Sequence, residues 1–154
     1  MNWWETEVPE DIADVLIVLN VKINNKNVTR DWRKDCHIDY DKLEDDLTYM
    51  PSIYSFWTSV LAEARKNLRI NEMSMDIRKS RVLREIKPPE GVKLTVSDKE
   101  SIVKLDPELC QLTVTNIHLE NIVQKLFGIV DSLKMKSESL RSLAGFKRAE
   151  LSNS

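Results

Sequence analysis

Leucine recurs every seven residues at Leu112, Leu119, Leu126, Leu133 and Leu140. A spacing of seven returns to the same side of a helix after two turns, so it fits a helix and not a strand. Ile122, Val123, Ile129 and Val130 widen the apolar stripe. Asp106-Pro107 stands before it, an N-cap followed by the residue best tolerated at the first helical position. The pattern predicts one long amphipathic helix over 107–150, with the tail 147–154 fraying. Gly128 and the polar Asn116 weaken the stripe. Two readings follow. The row is a seam between copies of the chain, formed by Leu112, Leu119, Val123, Leu126, Val130, Leu133 and Leu140, or it packs on the chain's own core.

A second helical region precedes this one. Asp39 is placed to accept hydrogen bonds from orphan backbone N–H groups at a helix start. Pro51 fits the first turn of a further helix better than its interior. Tyr54, Trp57, Leu61, Ala64 and Leu68 then follow at spacings of three and four, and residues 52–87 contain neither Gly nor Pro. Pro88-Pro89-Glu90-Gly91 ends that helix. Two β-rich runs, Val92–Val96 and Ser101–Leu105, flank Ser97-Asp98-Lys99-Glu100 and predict a β-hairpin over 92–105. Near the N-terminus, 14–23 reads as a strand running into a turn at 24–27, with a short helix over 9–20 as the alternative because of Pro9. The expected fold is mainly α with a small β-hairpin (α+β), its long amphipathic helices assembling into a homo-oligomer. It divides into an N-terminal extension, 1–32, and a helical domain, 33–154.

Several functional classes are excluded. Three glycines in 154 residues leave no Gly-rich phosphate loop. Cys36 and Cys110, with His37 and His118, lack the spacing of a zinc site, so two reduced thiols and no metal are expected. There is no GxSxG elbow and no HExxH. Asp41, Glu44, Asp45 and Asp46 belong to a polar helical stretch, where carboxylates are solvated. No catalytic residue and no cofactor can be nominated. The start, Met1-Asn2-Trp3-Trp4-Glu5, lacks the basic region of a signal peptide, and the longest apolar run, Val15–Leu19, is too short for a membrane span.

Charge is distributed unevenly. Residues 1–50 hold twelve acids and six bases, whereas residues 65–87 hold eight bases and three acids. Arg65, Lys66 and Arg69 share one side of a helix, and Arg78, Lys79, Ser80, Arg81 and Arg84 form the densest basic cluster. Guanidinium forks and a hydroxyl suit phosphates. The alternative is a solvated helix face balanced by Glu72, Asp76 and Glu85. No base-reading module is visible, so nucleic acid would be held by its backbone.

These segments resemble the UvsY-type recombination mediator proteins of T-even-like phages. Lys34-Asp35, Ile38-Asp39 and Lys42-Leu43 look like the start of that family's domain. Tyr54-Ser55-Phe56-Trp57 looks like its Tyr-Ser-x-Trp, and Leu68-Arg69-Ile70 like its Leu-Arg-Ile. Lys79-Ser80-Arg81 is similar to its Lys-Ala-Arg DNA-binding motif, and Ser97 and Lys104-Leu105-Asp106 fall in register beyond it. The resemblance covers roughly 33–150. Residues 1–30 have no counterpart, Arg78 stands where the family has leucine, and the aromatic pair after the motif is absent. That last departure removes the basis for stacking at the motif and leaves phosphate contacts.

The resemblance implies a non-enzymatic, ring-like homo-oligomer that binds single-stranded DNA. It implies help in loading a RecA-like recombinase onto DNA covered by a single-stranded DNA-binding protein, in the cytoplasm of an infected bacterium. Several weak sites acting on one strand would add up through avidity. A different class remains open: a helical scaffold or adaptor that binds no nucleic acid, suggested by the leucine row and by Trp3-Trp4.

Overall fold

The computed structural model describes residues 18–23, 26–88 and 90–152, with side chains from Arg30 onward. Strand β1, Val18–Ile23, pairs antiparallel with β2, Lys26–Asp31, in the register Val18↔Asp31 to Ile23↔Lys26. Helix α1 is Trp32–Cys36, and a single 3₁₀ turn follows at Tyr40–Lys42. Then come α2, Leu43–Glu85, α3, Val96–Lys104, and α4, Pro107–Ser152. The architecture is mainly helical with one small β element, as the sequence pattern predicts.

Three expectations are corrected. The first is the hairpin over 92–105, because Val96–Lys104 is helix. The Thr95 hydroxyl accepts from the Asp98 N–H at 3.2 Å, and the Asp98 carboxylate accepts from the Thr95 N–H at 2.9 Å. This reciprocal cap satisfies two orphan donors and outweighs the β propensity of the flanking residues. The residues read as a turn, Ser97 to Glu100, lie in the first turn of α3. Before it, Gly91 has φ +80°, a conformation that glycine adopts without steric cost.

The second correction concerns Pro51, which lies inside one continuous helix from Leu43 to Glu85. Pro51 withholds one N–H from the helix ladder and is itself exposed. Leu43, Met50, Trp57 and Ala64 are all buried at intervals of seven, so the core-facing row crosses Pro51 without changing phase. The third concerns the N-terminal turn, since Lys26 and Asn27 belong to β2. Asn24, Asn25, Trp3, Trp4 and the candidate helix at 9–17 lie outside the described residues, while Val18–Asn20 of that alternative are strand.

The chain divides into two compact units. The first runs through Leu61 and includes Gln124 onward, and the second is Ala62–Val123. In the first, Trp57, Leu126, Leu133 and Leu140 are each 0% exposed, with Met50 and Ile129 beside them in the core. Burying each leucine contributes about 2 kcal/mol. The Trp57 indole N–H donates to Asp35 Oδ2 at 2.8 Å, and Arg30 pairs with Asp35 Oδ1 at 3.2 Å. Lys136 Nζ donates to the Asp35 carbonyl at 3.1 Å and lies 3.3 Å from Asp46 Oδ1. Asp46 Oδ2 accepts from the Asp39 N–H at 3.1 Å.

In the second unit, Val82, Val103 and Leu109 form a small core with Met75 packed against it. Asn71 donates to the Leu112 carbonyl at 3.1 Å and to Asn116 Oδ1 at 3.0 Å, joining α2 to α4. Arg78 meets Asp106 and Glu108 farther along α2 and nearer the start of α4, so the two helices run antiparallel here.

Candidate nucleic-acid interface

One turn of an α-helix takes 3.6 residues, so each residue advances about 100° around the axis. Within 62–85, Asn67, Asn71, Met75, Arg78 and Val82 point inward, whereas Lys66, Ile70, Met73, Ile77, Arg81 and Arg84 share the outer side. The basic cluster is therefore split between two faces.

Arg78 belongs to the inner one. Its Nε and Nη2 donate to Asp106 at 2.8 and 2.7 Å, and its Nη1 lies 2.8 Å from Glu108. Asp106 also caps α4 by accepting from the Leu109 N–H at 2.9 Å. The Arg78 hydrogen bonds, with that backbone bond, hold the Asp106 carboxyl down to about 2. The same contact raises the Arg78 pKa further above its already high value. A fork engaged on both prongs is a clamp between α2 and α4 rather than a phosphate ligand.

This clamp has a pH signature. Asp106 is depressed from an ordinary value near 3.8 to about 2. Its contribution to stability is complete above the ordinary value and is lost as pH falls through that window. Asp106→Asn should flatten the acid limb of a thermal-melting series between those two values. An unchanged limb would show that the clamp contributes nothing.

The remaining sequence-predicted residues face outward. Arg69, Arg81 and Arg84 are exposed and make no ion pair among the described residues. Lys66 pairs with Glu63 at 2.8 Å, and Lys79 lies 3.7 Å from Asp76. Both are exposed intrahelical pairs that cost little to break. Arg65 is exposed on the same helix. The Ser80 hydroxyl donates back to the Asp76 carbonyl at 2.9 Å. Arg81 and Arg84 line a shallow open groove with Ser80, Ile77 and Asp76. The groove offers two guanidinium groups without an ion pair among the described residues, and a hydroxyl beside the exposed Ile77.

The leucine row lies elsewhere. Leu119, Leu126, Leu133 and Leu140 are buried within the single chain, while Leu112, Val123 and Val130 are half-buried. The apolar surface of the four buried leucines already faces the chain's own core. Other apolar residues of the second unit are exposed, among them Ile70, Met73, Ile77 and Leu83 on α2 and Val114 and Ile117 on α4.

Among the described residues no cluster of His, Cys, Asp or Glu is arranged to hold a metal. Burial, then the Asp35 carboxylate, push the Cys36 thiol up and away from the reactive thiolate. No helix among the described residues is long and apolar enough to cross a membrane.

Solved structures of similar shape supply the comparison that sequence alone does not. The crystal structures of the bacteriophage T4 recombination mediator protein UvsY in lattice types IV and II each superpose with a TM-score of 0.63 at 14% identity. They match 77% and 78% of this chain and 92% of their own. The chain has a UvsY-like fold. A third UvsY structure, lattice type I, agrees at a TM-score of 0.62, matching 77% of this chain and 95% of its own. No family model and no curated protein sequence matches the chain. The UvsY-like fold thus rests on backbone shape, and what the basic face does must be argued from its own residues.

Proposed function

We propose that this protein is a single-stranded DNA-binding recombination mediator. In this reading it assembles as a homo-oligomer, and it helps a RecA-like recombinase onto DNA covered by a single-stranded DNA-binding protein. The observation that carries the reading is the pair Arg81 and Arg84. Both are exposed and unpaired among the described residues, next to Lys79-Ser80-Arg81, on a UvsY-like fold. Arg81 and Arg84 are the principal phosphate ligands, Ser80 and Lys79 assist, and Lys66, Arg69 and Arg65 extend the path along α2. Arg78 holds the helix pair that presents them.

The leucine row supports assembly only indirectly, by building each copy's core. Copies associate instead through exposed apolar surface such as Ile70, Met73 and Ile77. The same stripe favours the second reading, a scaffold that binds protein and no DNA.

Fluorescence anisotropy with labelled single strands across a salt series tests the proposal. Arg81→Ala with Arg84→Ala should weaken binding at least tenfold. It should also reduce the slope of log K against log salt by roughly 1.4, about 0.7 for each single-strand phosphate that is no longer neutralised. Lys79→Ala should cost less, since Lys79 is shared with Asp76. Unaltered binding by the double variant would refute the assigned site. An oligomer by light scattering with no affinity for single strands at low salt would establish the scaffold.

A further inference from the structure

Residues 62–123 contain no Phe, Trp or Tyr. The unit carrying Arg81 and Arg84 can grip phosphates but has no such ring on which to stack a base. Single-strand binders commonly combine cations with stacking rings. Stacking on a Phe, Trp or Tyr ring must come from outside that unit.

We infer that the groove around Tyr54 in the first unit is a nucleotide-binding subsite of the same single strand, stacking a base on Tyr54 and holding its phosphates on Lys134 and Arg141. The inference rests on the proposed DNA binding and adds to it a site that the basic cluster does not contain. The groove has a volume of about 460 Å³, within the ~300–1,000 Å³ range of small-ligand sites. Leu47, Met50 and Leu140 give it apolar walls, and Tyr54, 38% exposed, opens into it.

Lys134 and Arg141 line the same groove from α4 and make no ion pair among the described residues. They lie seven residues apart, and exposed Arg148 lies seven beyond. At 1.5 Å per residue this is a line of cations about 10 Å apart on one side of the helix. Repeated positive charge along a line complements a phosphate backbone.

The exposed ring of Tyr40 is less well equipped. Tyr40 lines an adjoining groove with Ile38, Met135, Leu143 and the shared Glu138, and no Lys or Arg contributes to it. Glu138 argues between occupants of the Tyr54 groove. It lines that groove between Lys134 and Arg141, and it makes no ion pair with either. An acidic peptide and a single strand both bring anions to the two cations, and they differ in what else they offer Glu138. A base edge brings N–H donors, which its carboxylate accepts.

The test compares two labelled oligonucleotides of equal length, one with bases and one abasic, binding to the full chain. Tyr54→Leu keeps apolar volume and removes the ring. It should weaken the base-bearing strand about tenfold, in the range of one base–aromatic stack, and leave the abasic strand unchanged. Tyr54→Phe should bind like the wild type. Lys134→Ala with Arg141→Ala should weaken both strands and lower the salt slope by roughly 1.4.

If these variants bind both strands normally while Arg81→Ala with Arg84→Ala is weakened, the groove is no subsite and the mediator reading stands. If the wild type binds neither strand, both readings fall together, and acidic peptides become the occupants to try. Should Tyr54→Leu melt lower than the wild type, photocrosslinking of the wild type to a 5-iodouracil strand decides. A crosslink mapped to Tyr54 supports the subsite, and crosslinks only elsewhere, or none, overturn it.

Discussion

Trp57→Ala is expected to lower the stability of the protein by about 3–5 kcal/mol, the cost of emptying a buried tryptophan site. A domain of ordinary stability has about 5–15 kcal/mol in total, so the variant should sit close to unfolding at 37 °C. Trp57 is 0% exposed, and its indole N–H is satisfied by Asp35 at 2.8 Å. Its ring also meets Phe56 edge-on at 5.5 Å, and Arg30 lies 5.4 Å over the Phe56 ring. Packing and hydrogen bonding can be separated. Trp57→Phe keeps most of the apolar volume and removes the N–H, so it should cost about 1–2 kcal/mol. Urea denaturation with an unchanged m-value reads both numbers. A loss below 1 kcal/mol for Trp57→Ala would show that this core is not packed around the indole.

The position of Trp57 in a buried stripe was legible in the sequence, because the spacing of three and four on α2 repeats through Leu61 and Ala64. Its partner Asp35 was not. The two are 22 residues apart, and no periodicity links a short helix to the middle of a long one. The leucine row was legible as a helix, whereas its destination was not. A heptad row marks one apolar side but does not say whether the covering surface comes from the same chain.

The hairpin assigned to 92–105 had the opposite cause. Thr95-Val96-Ser97-Asp98 is a capping-box sequence standing in plain view. The β-branched residues around it drew the wrong period, and three reciprocal side-chain and backbone contacts decide the outcome. Arg78 shows a further limit. In sequence it is one of five consecutive or near-consecutive candidates for phosphate, from Arg78 to Arg84. Only the antiparallel pairing of α2 with α4 reveals that it meets Asp106, 28 residues away. From the sequence the cluster reads as one basic face, and its split between an inner and an outer face appears only once the covered face is known.

Lys136→Met should be the second severe substitution, costing about 3 kcal/mol. Removing one partner from a fully buried ion pair typically costs about 3–5 kcal/mol. The lower end applies because the Asp46 side chain keeps 21% exposure, while that of Lys136 has 3%. Methionine fills the volume of the lysine stem, so the loss is mainly electrostatic. Asp46 would retain the Asp39 N–H on one oxygen and lose its cation on the other.

The double variant Lys136→Met with Asp46→Leu should recover part of that loss, because a pair replaced by apolar groups no longer strands a charge. Full additivity of the two single losses would instead mean that the residues act independently. The consequence should also be local. Lys136 is bonded to the Asp35 carbonyl across 101 residues of sequence, and Asp46 joins Asp39 through its other oxygen. One ammonium group thereby fastens residues 35–46 to α4. Hydrogen exchange in Lys136→Met should accelerate first over that stretch, while amides around the Arg78–Asp106 clamp keep their protection. Uniform acceleration along the whole chain would place Lys136 in a single cooperative core rather than in a local fastening.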